Sequence, residues 1–179
     1  MRKIVFIEPN PPDFHVFTRV PLPRLGTALL STILKGHGYE VKSYVESVAE
    51  IDFNDVLSAD AVGISTITST SRRSYEIAAL LKKAGKKVFM GGPHVTYMPD
   101  EALEHCDFVL RGEADDHILR FVEALGKGTG FESIPGLSYK IDGVVRHNKT
   151  MSFCKDMDRL PAPDYRLISG LEVEGAKKF

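Results

Sequence analysis

The 179-residue chain carries 23 Lys and Arg residues against 24 Asp and Glu residues, which gives a formal net charge of -1. This balance does not favour the basic face that a nucleic-acid-binding domain needs, so nucleic acid is not an expected partner. Hydrophobic residues make up 43% of the chain, as in ordinary globular proteins. No stretch approaches the ~20 consecutive apolar residues of a membrane helix, so no membrane partner is expected either.

The chain has two cysteines, Cys106 and Cys154, and neither has a second cysteine near it in the sequence. A local metal-binding pair of cysteines is therefore excluded. This usage, together with an N-terminus that lacks a secretory apolar region, indicates a protein of the reducing cytoplasm. Cys106 is interpreted as a small side chain at a junction between a helix and a strand.

Five short apolar runs alternate with helix-length amphipathic segments, which predicts a parallel sheet covered by helices on both faces. The strands are expected at residues 4–7, 40–45, 61–64, 88–90 and 108–110. The second strand alternates valines with Lys42 and Tyr44, which is typical of a less buried strand at the edge of a sheet.

The helices are predicted from their apolar stripes and from the residues at their ends. The first runs from about residue 23 or 25 to 35, before Gly36 and Gly38. The second runs from 71 to 84, with Tyr75, Ala78 and Leu81 on one stripe. A further helix begins near Pro99. The last long helix is expected to open at Asp115 and Asp116 and to reach about residue 125.

The pattern changes after Gly130. Residues 137–141 and 144–147 flank Asp142-Gly143, a pair suited to the turn of a β-hairpin, and the proline-rich tail from residue 156 is predicted to be an extended linker. The sequence therefore predicts an α/β, five-stranded parallel sheet with flanking helices, followed by a β-hairpin. The domain boundaries are placed at 1–130 for the sheet domain and 131–179 for the hairpin and linker.

Unusual residues follow four of the predicted strands. In an open parallel sheet, ligands bind in the crevice beyond the carboxyl ends of the strands. The first strand is followed by a proline-rich loop that contains Asn10, and the third by a run of hydroxyl side chains at 65–70. The fourth is followed by Gly91, Gly92, Pro93 and His94, and the fifth by Arg111, Gly112 and Glu113. This edge of the sheet is the predicted binding site.

Each of these residues also has a purely structural interpretation. Gly91 and Gly92 would let a bulky ligand lie against the backbone, or they form a tight turn. Ser65, Thr66 and Thr68 line a slot with hydroxyls, or they cap the following helix.

The charged and histidine side chains are open to two interpretations as well. His94 is a metal ligand or polar contact, or it is a hydrogen-bonding residue of the loop. Arg111 and Glu113 contact a ligand, or they form an ion pair that orders their loop.

Segments 91–96, 99–103 and 107–113 together resemble the cobalamin-binding domain of the cobalamin-dependent radical S-adenosylmethionine (SAM) enzyme family. Residues 23–26, 36–41 and 63–65, and the exit segments 134–137 and 160–164, are similar to that family too. The resemblance covers essentially the whole chain.

The resemblance implies a Rossmann-like domain, with the five parallel strands in flavodoxin-like order, that holds the corrin ring of cobalamin against a radical domain. It also implies that the dimethylbenzimidazole tail of the cofactor enters among the loops after strands one, three and four. The tail is then expected to lie among Ser65, Thr66, Gly91, Gly92 and Pro93. Thr68 and His94 are counted among the expected cofactor-binding residues as well. Asn10, Arg111, Gly112 and Glu113 are expected at the rim.

One departure from the family limits what this chain does alone. The C-x-x-x-C-x-x-C triplet that holds the [4Fe-4S] cluster in intact members is absent. The chain is therefore expected to be a module without catalytic residues of its own. S-adenosylmethionine, the cluster and a C-terminal radical SAM domain of the same polypeptide belong to the intact enzyme, whose reaction is expected to be methyl transfer or a radical rearrangement.

A related cobalamin family uses Asp-x-His-x-x-Gly, in which the histidine binds cobalt. Residues 13–18 nearly match, with His15 at the histidine position, but Thr18 stands where glycine belongs. The match is attributed to chance, and no metal ligand is predicted.

Three other classes of protein could have this architecture. A receiver domain needs an aspartate where Ser65 stands, and a flavodoxin-like electron carrier needs backbone donors that the prolines at 9–12 remove. The remaining alternative is a domain that keeps the fold without cobalamin and serves as a docking or regulatory platform.

Overall fold

The computed structural model describes residues 1–12, 22–141, 143–149, 154 and 156–172. Within them the strands are β1 (Lys3–Glu8), β2 (Glu40–Val45), β3 (Ala61–Ser65), β4 (Lys87–Gly91), β5 (Phe108–Leu110), β6 (Leu137–Ile141) and β7 (Val144–His147). The α-helices are α1 (Leu25–Gly36), α2 (Phe53–Ser58), α3 (Ser71–Lys83), α4 (Pro93–Tyr97), α5 (Pro99–Ala102) and α6 (Ile118–Lys127).

The strands form one mixed sheet with the order β2-β1-β3-β4-β5-β6-β7. The first five are parallel in the predicted flavodoxin-like order, and β6 and β7 are antiparallel additions. The predicted α/β, Rossmann-like fold is confirmed. The hairpin lies in the same sheet as the parallel strands, and the boundary at residue 130 stays a prediction.

The central strands are buried on both faces, as their continuous apolar runs require. In β1, Val5 and Ile7 pack in a core with α3, whereas Ile4 and Phe6 pack in a second core with α1 and α6. Successive side chains of a strand point to opposite faces, so the apolar side chains of the central strands alternate between the two cores.

β2 lies at the edge of the sheet, as predicted, but it is more buried than its alternating sequence suggested. Tyr44 is buried, and its hydroxyl donates to the Asp55 carboxylate of α2 at 2.8 Å. A segment near the C-terminus also covers the strand: Ile168 forms a parallel bridge with Ser43, and the Ser169 amide donates to the Ser43 carbonyl at 2.8 Å. β2 buries fewer of its residues than its neighbour β1, as expected of an edge strand, although this distant segment covers its free edge.

The predicted helices α1 and α3 are present within a residue or two of their expected ends. Of the predicted stripe on α3, Ala78 and Leu81 are buried and Tyr75 is partly buried. The other buried side chains of this helix are Ser74 and Ile77. The last helix begins at Ile118, later than expected, because the Ala114 carbonyl accepts the amides of His117 and Ile118 in a preceding turn. The short helices α2 and α4 were not anticipated.

Asn148 stabilises the base of the hairpin through hydrogen bonds. Its side-chain amide donates to the carbonyls of Phe131 and Ile134, both at 2.7 Å, and its backbone amide donates to the Leu137 carbonyl at 2.8 Å. Asn148 therefore ties the end of the hairpin to the start of β6 and to the segment before it.

Cys106 is buried between α5 and β5, and its thiol donates to the Phe108 carbonyl. Burial raises the pKa of this thiol to about 12, so the structural interpretation of Cys106 is supported. None of the helices in the described residues is both long and apolar enough to span a bilayer.

Candidate functional site

Two rows of side chains at the carboxyl edge of the sheet define a cavity on the face covered by α1 and α6. The register aligns Phe6, Gly63 and Phe89 in one row, on β1, β3 and β4. Two residues further along these strands and on the same face, the register aligns Ser65 with Gly91. The large rings form the floor, and the small residues above them leave space.

The cavity has a volume of about 200 Å³ and mainly apolar walls. It is closed on the helix side by the first turns of α1 and by the loop after β5. Its lining consists of Phe6, Gly26, Thr27, Leu30, Gly63, Ile64, Ser65, Phe89, Gly91, Gly92, Leu110, Gly112, Glu113, Ala114 and Asp115.

The glycines at 91 and 92 have different roles. A Cβ atom on Gly91 would meet only the Leu110 carbonyl oxygen, at 3.7 Å, so this glycine leaves open space. Gly92 has a φ of 103°, and a Cβ atom there would lie 2.6 Å from the Thr66 carbonyl oxygen. Gly92 is therefore required by the turn itself, and Gly91 keeps the cavity open.

Five of the eleven predicted binding residues line the cavity: Ser65, Gly91, Gly92, Gly112 and Glu113. Their strand ends converge as the parallel topology requires. The others, Asn10, Thr66, Thr68, Pro93, His94 and Arg111, lie outside its lining.

Asn10 lies on the other face of the sheet. Its backbone amide donates to the Glu46 carboxylate at 2.9 Å, and Glu46 also accepts hydrogen bonds from Arg73 of α3. Asn10 therefore borders a separate open groove beside α2 and α3.

Three predicted residues surround the turn that contains the glycines: Thr66, which follows β3, and Pro93 and His94, which begin α4. The Thr66 amide donates to the Gly91 carbonyl at 2.8 Å, and Pro93 occupies the first turn of α4, where no amide hydrogen is needed. His94 contacts the Thr68 hydroxyl through Nδ1 at 3.3 Å and Glu101 through Nε2 at 3.5 Å. These contacts support the interpretation of His94 as a hydrogen-bonding residue of the loop.

The hydroxyl side chains do not cap α3. Thr68 contacts His94, and Ser65 accepts a hydrogen bond from Arg24 at 3.0 Å. The Thr66 hydroxyl is buried and has no hydrogen-bond partner among the described residues. The capping interpretation is therefore wrong, and Ser65 is the hydroxyl that faces the cavity.

Arg111 and Glu113 do not act as the local ion pair that the sequence left open. The Arg111 guanidinium donates to the carbonyls of Gly136 and Asn148, which ties β5 to the hairpin. The Glu113 carboxylate accepts the backbone amide of Cys154 at 2.9 Å. Glu113 therefore joins the cavity rim to the C-terminal segment.

Several acidic side chains lie close together at the rim of the cavity. Burial raises the pKa of the Asp115 carboxyl, and the neighbouring charges of Glu113 and Asp116 raise it further. Asp116 is paired with Arg159 of the C-terminal segment.

Sequence reasoning missed the polar group beside the cavity mouth, formed by Glu8, Arg24 and Thr27. Glu8 is only 3% exposed, although it is charged and ends β1. A charged residue at the end of a buried strand was the signal in the sequence that could have indicated this polar group. Arg24 lies in the 23–26 segment that carried part of the family resemblance.

His15 lies outside the described residues. Within the described ranges, no group of three or more His, Cys, Asp or Glu side chains could hold a metal ion.

A comparison with protein families matches residues 18–122 to the B12-binding domain, which is more than half of the chain. The chain belongs to the B12-binding domain family. This confirms the resemblance found in the sequence.

Two curated methyltransferases are similar in sequence. An uncharacterized methyltransferase of Pyrococcus horikoshii is 34% identical over 157 residues, covering 82% of this chain and 34% of that protein. The bacteriochlorophyllide d C-8(2)-methyltransferase of Chlorobaculum tepidum is 40% identical over 77 residues, covering 41% of this chain and 17% of that protein. The chain thus spans about a third or less of the length of these relatives.

Solved structures show the same fold. The cobalamin-dependent S-adenosylmethionine radical enzyme OxsB, with aqua-cobalamin and S-adenosylmethionine bound, aligns with a TM-score of 0.73 at 18% identity. The alignment covers 91% of this chain and 24% of OxsB. The radical S-adenosylmethionine methyltransferase TsrM from Kitasatospora setae, with cobalamin and a [4Fe-4S] cluster bound, aligns at 0.64 and 16% identity, covering 93% of this chain and 32% of TsrM.

Proposed function

We propose that this chain is the cobalamin-binding module of a radical SAM enzyme and is not catalytic alone. The observation that carries the proposal is the row of small residues at the strand ends, where Ser65 and Gly91 leave a cavity above the Phe6 and Phe89 rings. A flat heteroaromatic group suits a cavity with apolar walls and one polar end.

The residues present fit the nucleotide tail of cobalamin. Gly26 on α1 has nothing within 4 Å of its missing Cβ, and Gly91 has only one contact there, so both sides of the cavity are open. We propose that Ser65, Gly91, Gly92, Gly112 and Glu113 contact the cofactor. Thr66, Thr68, Pro93 and His94 hold the loop in shape, and Arg111 supports the rim. Asn10, on the other face of the sheet, has no part in the proposed cofactor site.

The cofactor supplies a cobalt atom that can carry a transferred group, and this chain binds and orients it. The names of the sequence relatives support methyl transfer as the reaction of the whole enzyme. S-adenosylmethionine, the [4Fe-4S] cluster and a radical SAM domain in the same polypeptide are part of the proposal, as is a cytoplasmic location.

The test is a titration of the purified chain with hydroxocobalamin, followed by gel filtration and a visible spectrum of the protein peak. We expect co-elution near one equivalent with a base-off spectrum. Gly91→Trp and Gly26→Trp fill the cavity from opposite sides and should each lower the affinity at least about tenfold, the loss of ~1.4 kcal/mol of binding free energy.

Gly36→Trp is the matched control. It lies at the other end of α1, is exposed and has nothing within 4 Å of its missing Cβ, so it should bind like the wild type. Gly92 is unsuitable for this test because any side chain there strains the turn. If the wild-type chain retains no corrin, the result favours a platform without cofactor and contradicts the proposal.

A further inference from the structure

An ion pair between the buried Glu8 and the partly buried Arg24 lies beside the cavity mouth. Glu8 ends β1, and the backbone amide of Arg24 donates to both of its carboxylate oxygens, at 3.2 and 3.0 Å. The Arg24 side-chain Nε lies 3.8 Å from the same carboxylate. Burial raises the pKa of Glu8, while hydrogen bonds from Arg24 and Thr27 and the charge of Arg24 oppose this rise. Glu8 therefore fixes Arg24 at the start of α1.

The guanidinium of Arg24 reaches across to the end of β3. Its Nη1 donates to the carbonyl oxygen of Ser65 at 2.8 Å and to the Ser65 hydroxyl oxygen at 3.0 Å, and Nη2 lies 3.4 Å from the Pro9 carbonyl. The strand ends of β1 and β3 are thereby joined through one side chain.

This contact has a defined direction. A guanidinium has donors and no acceptor, so the Ser65 hydroxyl can only accept from Arg24. A hydroxyl carries one hydrogen, and no acceptor for it is found among the described residues. Since Ser65 lines the cavity, this hydrogen remains available to a group inside it.

We propose that Arg24 is a positioning residue: by donating to the Ser65 hydroxyl oxygen, it makes Ser65 a hydrogen-bond donor toward the cavity. The cavity thereby selects a ligand with an acceptor nitrogen on a heteroaromatic ring. This rests on the proposed function, in which the nucleotide tail of cobalamin is that ligand. Arg24 acts through Ser65 and contacts no ligand itself.

The test compares the affinities of the full chain for cobalamin and for cobinamide, which has the corrin ring but lacks the nucleotide tail. Both affinities are measured by calorimetric titration. The variant is Glu8→Gln with Arg24→Met, which removes the donors without leaving a buried carboxylate unpaired. We expect cobalamin affinity to fall about 2- to 10-fold, as for one lost hydrogen bond, with cobinamide affinity unchanged.

Ser65→Ala should give the same selective loss, and adding it to the first variant should give no further loss. Arg120→Met is the control, because Arg120 contacts the carbonyl and hydroxyl of Ser133 in the same way on the exposed surface. If Glu8→Gln with Arg24→Met does not fold, Arg24→Met alone is used. Methionine has no polar hydrogen to donate to the Ser65 hydroxyl, so we expect the same selective loss.

Equal losses for both ligands, unchanged affinities, or a loss that adds fully to that of Ser65→Ala would each overturn this role of Arg24. In each of these cases the wild type still binds cobalamin, and the proposed function stands. A wild type that binds neither ligand overturns the proposed function, and the role of Arg24 with it.

Discussion

Gly63 and Gly91 lie on neighbouring strands and face the same side of the sheet, but their surroundings are opposite. A Cβ atom on Gly63 would lie 2.5 Å from Cζ of Phe89 and 2.8 Å from Cδ1 of Phe6. Both rings are buried, and Phe89 packs edge-on against Phe121 with ring centroids 5.0 Å apart.

Gly63→Ala should therefore lower the free energy of unfolding by about 1–3 kcal/mol, the typical cost of overpacking a core. Gly91→Ala should leave it unchanged or raise it by about 0.5–1 kcal/mol, because alanine restricts the unfolded chain more than glycine does. Urea denaturation of both variants checks this. Equal stability of the two variants would contradict the assignment of Gly63 to the floor and Gly91 to open space.

At the scale of elements, the start of β1 depends on a carboxylate from the loop before β3. Asp60 accepts the backbone amides of Arg2 and Lys3, and these two hydrogen bonds lower the pKa of its carboxyl from the ordinary value of 3.8. A carboxyl whose pKa is lower in the folded state stabilises the fold above its unfolded pKa. This contribution is lost as the pH falls through the folded-state value.

Asp60→Asn should therefore reduce stability near pH 7 by about 0.5–1 kcal/mol, a small effect because the site is exposed to solvent. The difference from the wild type should shrink as the pH is lowered below about 4, the ordinary pKa of aspartate. Urea denaturation between pH 3 and 7 measures it. Asp158→Asn, at an exposed aspartate in another part of the chain, should show no such convergence, and a difference independent of pH would exclude this role of Asp60.

At the scale of the whole molecule, the hairpin completes a core that the parallel strands leave open. Phe131 packs against Phe108 of β5 and Tyr139 of β6, with ring centroids 4.9 and 5.7 Å apart. Ile134 and Leu137 are buried in the same cluster. Each of these side chains contributes about 1.5–3 kcal/mol when buried, so their sum is comparable to the whole stability of a typical domain.

Truncation after residue 130, the boundary predicted from the sequence, should therefore abolish cooperative unfolding. The fragment 1–149 keeps the hairpin and Asn148, and we expect it to unfold in one cooperative transition. Urea denaturation and gel filtration of the two fragments provide the test. A soluble 1–130 fragment with an unchanged midpoint would instead establish the sheet domain as independent of the hairpin.

Much of the fold could be predicted because its signals are local. Apolar runs such as 61–64 mark buried strands, glycines mark helix ends, and the alternation of strands and helices implies a parallel sheet. The site was predicted only to the level of its edge of the sheet. Ser65 and Gly91 line the cavity at this edge, whereas Asn10 and His94 follow other strand ends and lie outside the cavity.

The sequence by itself determined the fold class, because that depends on periodicity. It also determined the family, and with it the expected strand order, because the family resemblance depends on residue types at fixed spacings. The tertiary structure decided which strand-end residues share a cavity, since the register and the face of the sheet set that. It also decided the partners of Glu8, Arg24 and Arg111. A charged side chain can pair with any group within its reach, and only the packing of distant segments brings one of those groups close.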